Sequence, residues 1–214
     1  MKKIFSLLCF FITFLSPTQA SGQLEKIFTL DVLNTDIQYL ESMTGVAKST
    51  NNQSLTKDYV VNGCYMRASF SRDWTVRSLA LAVSPTCTFD MGNLMGSMES
   101  IQANTLTFGT LGPVSYYADC LQGCGNSYDP SVYEHAQSSR ADNFIEVLLA
   151  TQKGYLQDGP WVEAMNLREG EDWVDELKFN CSDKYHDIAQ SSLYGLPAEI
   201  VVVGYNLQPF NCNR

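Results

Sequence analysis

Positive charge is scarce in this chain: 14 Lys and Arg stand against 23 Asp and Glu over 214 residues, for a formal net charge of −9. An acidic surface repels phosphate backbones and anionic headgroups, so nucleic-acid binding and electrostatic docking on membranes are not expected. Histidine is rarer still. His135 and His186 are the two copies, and neither has a second histidine at metal-ligand spacing. There is no GxSxG elbow, no EF-hand spacing and no CxxC pair, which removes the commonest signatures of a hydrolase, a calcium site and a dithiol redox site. No cofactor is implied. After the first twenty residues no apolar run approaches the roughly 20 residues that a bilayer-spanning helix needs, so membrane insertion is not expected either.

The N-terminus supplies the first positive signal. Two lysines, Lys2 and Lys3, precede the apolar run Ile4 to Leu15, and Thr18, Gln19 and Ala20 form a small-residue site. These are the three regions of a secretory signal peptide, with cleavage expected after Ala20. Pro17 interrupts the run short of spanning length. Residues 1–20 are therefore set apart from the fold, and the mature chain is expected to be periplasmic or secreted. Losing Lys2 and Lys3 leaves 12 basic against 23 acidic residues, a net charge of −11.

Six cysteines remain: Cys64, Cys87, Cys120, Cys124, Cys181 and Cys212. An even number in an oxidising compartment reads as a disulfide framework, although six cysteines allow fifteen connectivities. Strand alternation at Cys64–Phe70 and Leu79–Val83 suggests a hairpin that brings Cys64 opposite Cys87. Cys120 and Cys124 fall four apart at an expected helix end, where they read as a staple and, in the alternative, as a redox pair. Cys181 and Cys212 are left over and would tie the last helix to the C-terminus.

Two stretches of equal length organise the rest. Leu33–Gly45 reads LNTDIQYLESMTG and Leu111–Gly123, 78 positions later, reads LGPVSYYADCLQG, matching at leucine, tyrosine, acid and terminal glycine. Thr35 with Gln38 makes a capping box, and Gly112-Pro113 places proline at a first helical position, so both stretches predict helices. Behind the first come Tyr59–Val61, the Asn62-Gly63 hairpin signal and two alternating strands; the spacing of Leu94, Met95, Met98 and Ile101 predicts a helix over 90–102. The methionines on that helix read as core filler more naturally than as a soft-metal site, and no metal is expected. Behind the second come strands at 131–136 and 143–151, a helix at WVEAMNLRE, a helix from Ser182 or Asp183 to Tyr194, and the strand EIVVVGY at 199–205.

The expected fold is α+β: two related helix-plus-antiparallel-meander units, residues 21–110 and 111–214, the second carrying a helical insertion and the whole stabilised by disulfides. A glycine-closed helix followed by a meander, repeated in an exported chain, resembles the beta-lactamase-inhibitor protein fold. It is also similar to the small outer-membrane-assembly lipoproteins of the SmpA/OmlA type, whose lipid-attachment cysteine this chain lacks. The stretch from CGNSYDP to RADNFIEVLLAT resembles segments of exported bacterial proteins.

Glu134, His135, Arg140 and Asp142, with Asp119 as a further candidate neighbour, form the best chemical constellation, because a histidine beside carboxylates can exchange protons near neutral pH. Glu134, His135 and Asp142 are the catalytic candidates. No nucleophile stands beside them. Tyr116, Tyr117, Tyr128 and Tyr133, with Arg140, are the candidate binding residues, because tyrosine and arginine dominate interface hot spots. The acidic run Glu169 to Glu176 reads as a solvated face. The expected function is non-enzymatic binding of a protein or cell-envelope component. The alternatives are a hydrolase-type site around His135 and a structural accessory domain without a ligand.

Overall fold

The computed structural model describes residues 18–95, 100–112, 114–118, 132–137, 145–151, 159–170, 180 and 183–207. They form an α+β protein around one eight-stranded antiparallel sheet, in the order β1-β2-β3-β4-β8-β7-β6-β5. The strands are β1 Ser49–Asn51, β2 Thr56–Val61, β3 Cys64–Phe70, β4 Val76–Ala82, β5 Val114–Ala118, β6 Val132–Gln137, β7 Glu146–Thr151 and β8 Ile200–Gly204. Two meanders, β1–β4 and β5–β7, approach from opposite ends, and β8 is hydrogen-bonded between them to β4 and β7.

Local chemistry explains the first meander. Asn62 and Gly63 both take positive φ, 50° and 86°, the backbone of a tight hairpin turn whose twist matches that of its strands. On β3, Cys64, Met66, Ala68 and Phe70 are buried and Tyr65 and Arg67 are exposed, so one face is core and the other faces outward. The Cys64–Cys87 disulfide forms with Cα atoms 5.5 Å apart. Val83 follows β4 in register, and a turn from Ser84 folds Cys87 back toward the start of β3.

Helices cover the core face. Helix α1, Thr18–Ile27, was not anticipated from the sequence; Leu24 and Ile27 on its last turn, and Phe28 just after it, are fully buried. Helix α2, Ile37–Thr44, is capped by Asp36, whose Oδ1 accepts the Gln38 N–H at 2.7 Å, and closed by Gly45 at φ 80°. The expected cap, Thr35, instead donates its hydroxyl to the Val32 carbonyl. Lys57 on β2 reaches Glu41 on α2 at 2.6 Å, fastening helix to sheet. Helix α3, Gly92–Met95, is shorter than expected, and the backbone at Ile101 and Gln102 pairs with Met91 and Asp90. Helices α4, Gly159–Glu169, and α5, His186–Leu193, pack together, with α5 also against β5. Leu79, Leu81, Val147, Leu149, Val201 and Val203 complete the core beneath these helices.

The second glycine-closed stretch departs from expectation. Val114–Ala118 is a strand, with Tyr116 and Tyr117 on opposite faces, so this part of the second stretch is a strand where the first stretch holds helix α2. Adjacent aromatics buried on both faces of a sheet mimic helical burial in sequence, and strand pairing to β6 decides the outcome. The sheet edges are protected differently. β1 is short and polar, while at β5 the Asn180 carboxamide accepts the Ala118 N–H at 3.0 Å and donates to its carbonyl at 2.9 Å. Of the expected leader, residues 18–20 begin α1 and the rest lies outside the described residues, as do Cys120, Cys124, Cys181 and Cys212 with both of their expected pairings. No helix among the described residues is long and apolar enough to cross a membrane.

Candidate functional site

The outward face of the sheet carries a groove of about 850 Å³ over β2, β3, β4, β8 and β7. Its position follows from strand alternation. With Leu79 and Leu81 committed to the core, Ser78, Ala80 and Ala82 must face outward, and Val201 and Val203 likewise turn Ile200 and Val202 outward. The register then sets Ala80 beside Val202 and Ala82 beside Ile200. Leu148 and Ala150 of β7 continue the same floor, and Tyr133 of β6 marks its far side.

The rim is polar at the β2–β3 end. Arg67 donates from Nε to Asp58 Oδ1 at 2.6 Å and from Nη2 to Oδ2 at 3.3 Å, and the Ser49 hydroxyl donates to Oδ2 at 2.6 Å. The Arg67 and Ser49 hydrogen bonds hold the Asp58 carboxyl below its ordinary pKa, and Asp58 in turn raises that of Arg67. Ser69 and Ser78 face each other across β3 and β4 with hydroxyls 2.5 Å apart, which satisfies both.

The catalytic candidates are split by the pleat. Glu134 and His135 are neighbours on β6 and therefore point to opposite faces. Glu134 is fully buried on the core side, where its Oε2 accepts the Gly109 N–H and the Tyr116 hydroxyl lies beside it. Burial raises its pKa above the usual carboxylate value. Burial, with Glu134 adjacent, also pushes the Tyr116 phenol up. The His186 ring meets Tyr116 edge-on at 6.4 Å.

His135 faces outward yet is buried, with Nε2 3.0 Å from Glu146 Oε2. The same oxygen accepts the Leu207 N–H at 2.6 Å, which pins the segment after β8 against this half of the face. Tyr117 lies edge-on to His135 at 6.3 Å. A histidine oriented by a carboxylate is the geometry of an acid–base pair, but both members are enclosed and the carboxylate is shared with a backbone amide. Glu146 was not singled out in the sequence, where it reads as one residue of a strong strand. Its partner is eleven positions away, and only the β6–β7 register brings the two together.

Among the binding candidates, Tyr116 is in the core, Tyr117 is buried, and Tyr133 is half-buried at the groove. Asp119, Tyr128, Arg140 and Asp142 lie outside the described residues. Glu169 is held by Lys184 at 2.7 Å, and no group of three metal-ligating side chains occurs among the described residues. No family model, curated protein or solved structure matches the chain.

Proposed function

We propose that this is an exported, non-enzymatic binding protein that engages a protein or cell-envelope component through the open part of its outward sheet face. The observation that carries this reading is the groove, a largely aliphatic concavity of about 850 Å³ on the outward face of the eight-stranded sheet, left open by the described residues. A concave, mainly aliphatic surface with a few polar groups at one end is the usual form of a ligand-binding site. Export is supported by the leader-like N-terminus and by the Cys64–Cys87 disulfide, which persists in oxidising compartments. The hydrolase alternative loses support because Glu134 and His135 diverge and His135 is enclosed with Glu146.

Photo-crosslinking tests the reading. A benzophenone amino acid placed at Tyr65, beside the groove, is expected to give a discrete adduct in a native envelope extract, and the same group at the exposed Leu167 on α4 is not. Absence of any Tyr65-specific adduct, combined with hydrolytic turnover abolished by His135→Ala, would overturn it.

A further inference from the structure

We infer that the groove binds a free single-chain amphiphile with an anionic head, its aliphatic tail lying on the floor and its head held by Arg67 and Lys48. The inference rests on the reading of this face as a binding surface and names the chemistry of the ligand.

Three observations point this way. First, the floor is built of methyl groups. Ala80, Ala82, Ile200 and Val202 present short aliphatic side chains from the adjacent strands β4 and β8, the largely buried Ala150 of β7 borders them, and the nearby Ser69 and Ser78 hydroxyls are paired with each other. Such a strip offers dispersion contacts and relief from water along an extended hydrocarbon, with no polar group demanding a partner. Second, the space fits. At about 850 Å³ the groove falls within the roughly 300–1,000 Å³ typical of small-ligand sites.

Third, the local charge opposes that of the molecule. The chain carries a formal −9, yet the charged residues lining the groove are Lys48, Asp58 and Arg67. Asp58 is already satisfied by Arg67 and Ser49. Arg67 is thereby held in place through Nε and Nη2, which leaves Nη1 to meet an incoming carboxylate, and Lys48, whose backbone N–H donates to the Asp58 carbonyl, adds a second cation to the lining at that end. Lys48 and Arg67 against Asp58 leave the groove's lining at +1, against −9 for the chain, so an anionic head is favoured there and a cationic head gains nothing at Arg67. The same net charge disfavours an anionic bilayer as the source, so the ligand is the free monomer.

Calorimetric titration of the oxidised protein with octanoate, decanoate and dodecanoate, each below its micelle concentration, tests this. Saturable binding is expected, tightening about two- to threefold per added methylene for a partly buried chain. Arg67→Ala is expected to weaken dodecanoate about tenfold, the worth of one charge-assisted hydrogen bond, while leaving the uncharged dodecyl maltoside unchanged. Ala82→Glu, at an exposed position where folding is not at issue, should weaken the carboxylate selectively, and Ala80→Trp should abolish both ligands. Native melting temperatures and near-UV dichroism confirm that each variant is folded. No saturable dodecanoate binding, equal affinity for dodecyltrimethylammonium, survival of binding in Ala80→Trp, or co-sedimentation with phosphatidylglycerol vesicles would each overturn the inference. A Tyr65-specific protein adduct without amphiphile binding would overturn it alone and leave the binding face standing; absence of both would remove the two together.

Discussion

Strands β3 and β7 present outward residues on the same face of one sheet, yet Tyr65 and Arg67 on β3 stand in solvent whereas Glu146, Leu148 and Ala150 on β7 are buried. The backbone ladders do not differ in kind, since every pairing in the sheet is antiparallel. What differs is how polar groups are satisfied. On the open half the charged pair is the bidentate Arg67–Asp58, left to water on its outer side; on the closed half Glu146 is shared between His135 and the Leu207 amide. A buried carboxylate needs partners from the protein, and finding them ties the chain after β8 over that half. The open half makes no such demand, and none of the described segments lies over it.

The largest expected effect comes from separating the halves at their junction. Gly204 on β8 is registered to Ser78 on one side and Glu146 on the other, and a Cβ there would stand 2.3 Å from the Arg77 carbonyl oxygen and 2.6 Å from the Ser78 Cβ. Neither neighbour is the flexible end of a long side chain. Gly204→Val is therefore expected to cost about 4 kcal/mol in urea unfolding, as a backbone clash in a well-packed core does. A loss under about 1 kcal/mol would mean that β8 does not hold β4 and β7 as closely as the register requires.

Next is the closed half itself. Glu146→Ala leaves His135 Nε2 and the Leu207 N–H without their acceptor, for an expected loss of about 2 kcal/mol. Glu146→Gln keeps an acceptor oxygen and should lose less. If hydrogen exchange at Leu207 were no faster in Glu146→Ala than in the wild type, the pinning of this segment would be wrong.

On the opposite face beneath β6, Glu134 gives a pH-dependent contrast. Burial raises its folded-state pKa, so the folded protein holds this proton more tightly than the unfolded chain does. The stability it contributes is fully present below the unfolded value of about 4.3 and is lost as pH rises through the folded value. Glu134→Gln keeps a neutral acceptor for the Gly109 N–H, so its stability relative to the wild type should improve as pH is raised from 4 to 8. A relative stability that falls over that range would show that Glu134 is charged and compensated.

These contrasts also mark what a reader of the sequence sees. Asn62-Gly63, the alternation of Cys64 to Phe70, the Cys64–Cys87 bridge and the strand at 200–204 were all legible, because each depends on neighbours in sequence or on a single hairpin. The strand at 114–118 was not, since Tyr116 and Tyr117 are buried on two faces and leave no alternation to read. The groove was hidden for another reason. Ala80 and Val202 lie more than a hundred positions apart, and nothing local says that β8 enters between β4 and β7. Glu134 and His135 misled in the opposite sense: adjacency in sequence implied a shared site, and a strand sends adjacent side chains apart.

The smallest expected effect is the most discriminating. Arg67 and Asp58 have side chains 61% and 39% exposed, so water solvates both charges and screens their attraction. Asp58 also retains the Ser49 hydroxyl when the arginine is removed. Arg67→Ala should therefore change unfolding free energy by no more than about 0.5 kcal/mol, near the median for exposed ion pairs. Set against the roughly fourfold larger loss expected at Glu146, that value would separate a pair that holds the sheet together from one that is free to serve a ligand. A cost near that of Glu146→Ala would place Arg67 in the architecture, leave both halves structural, and remove the reason for looking to the open half for function.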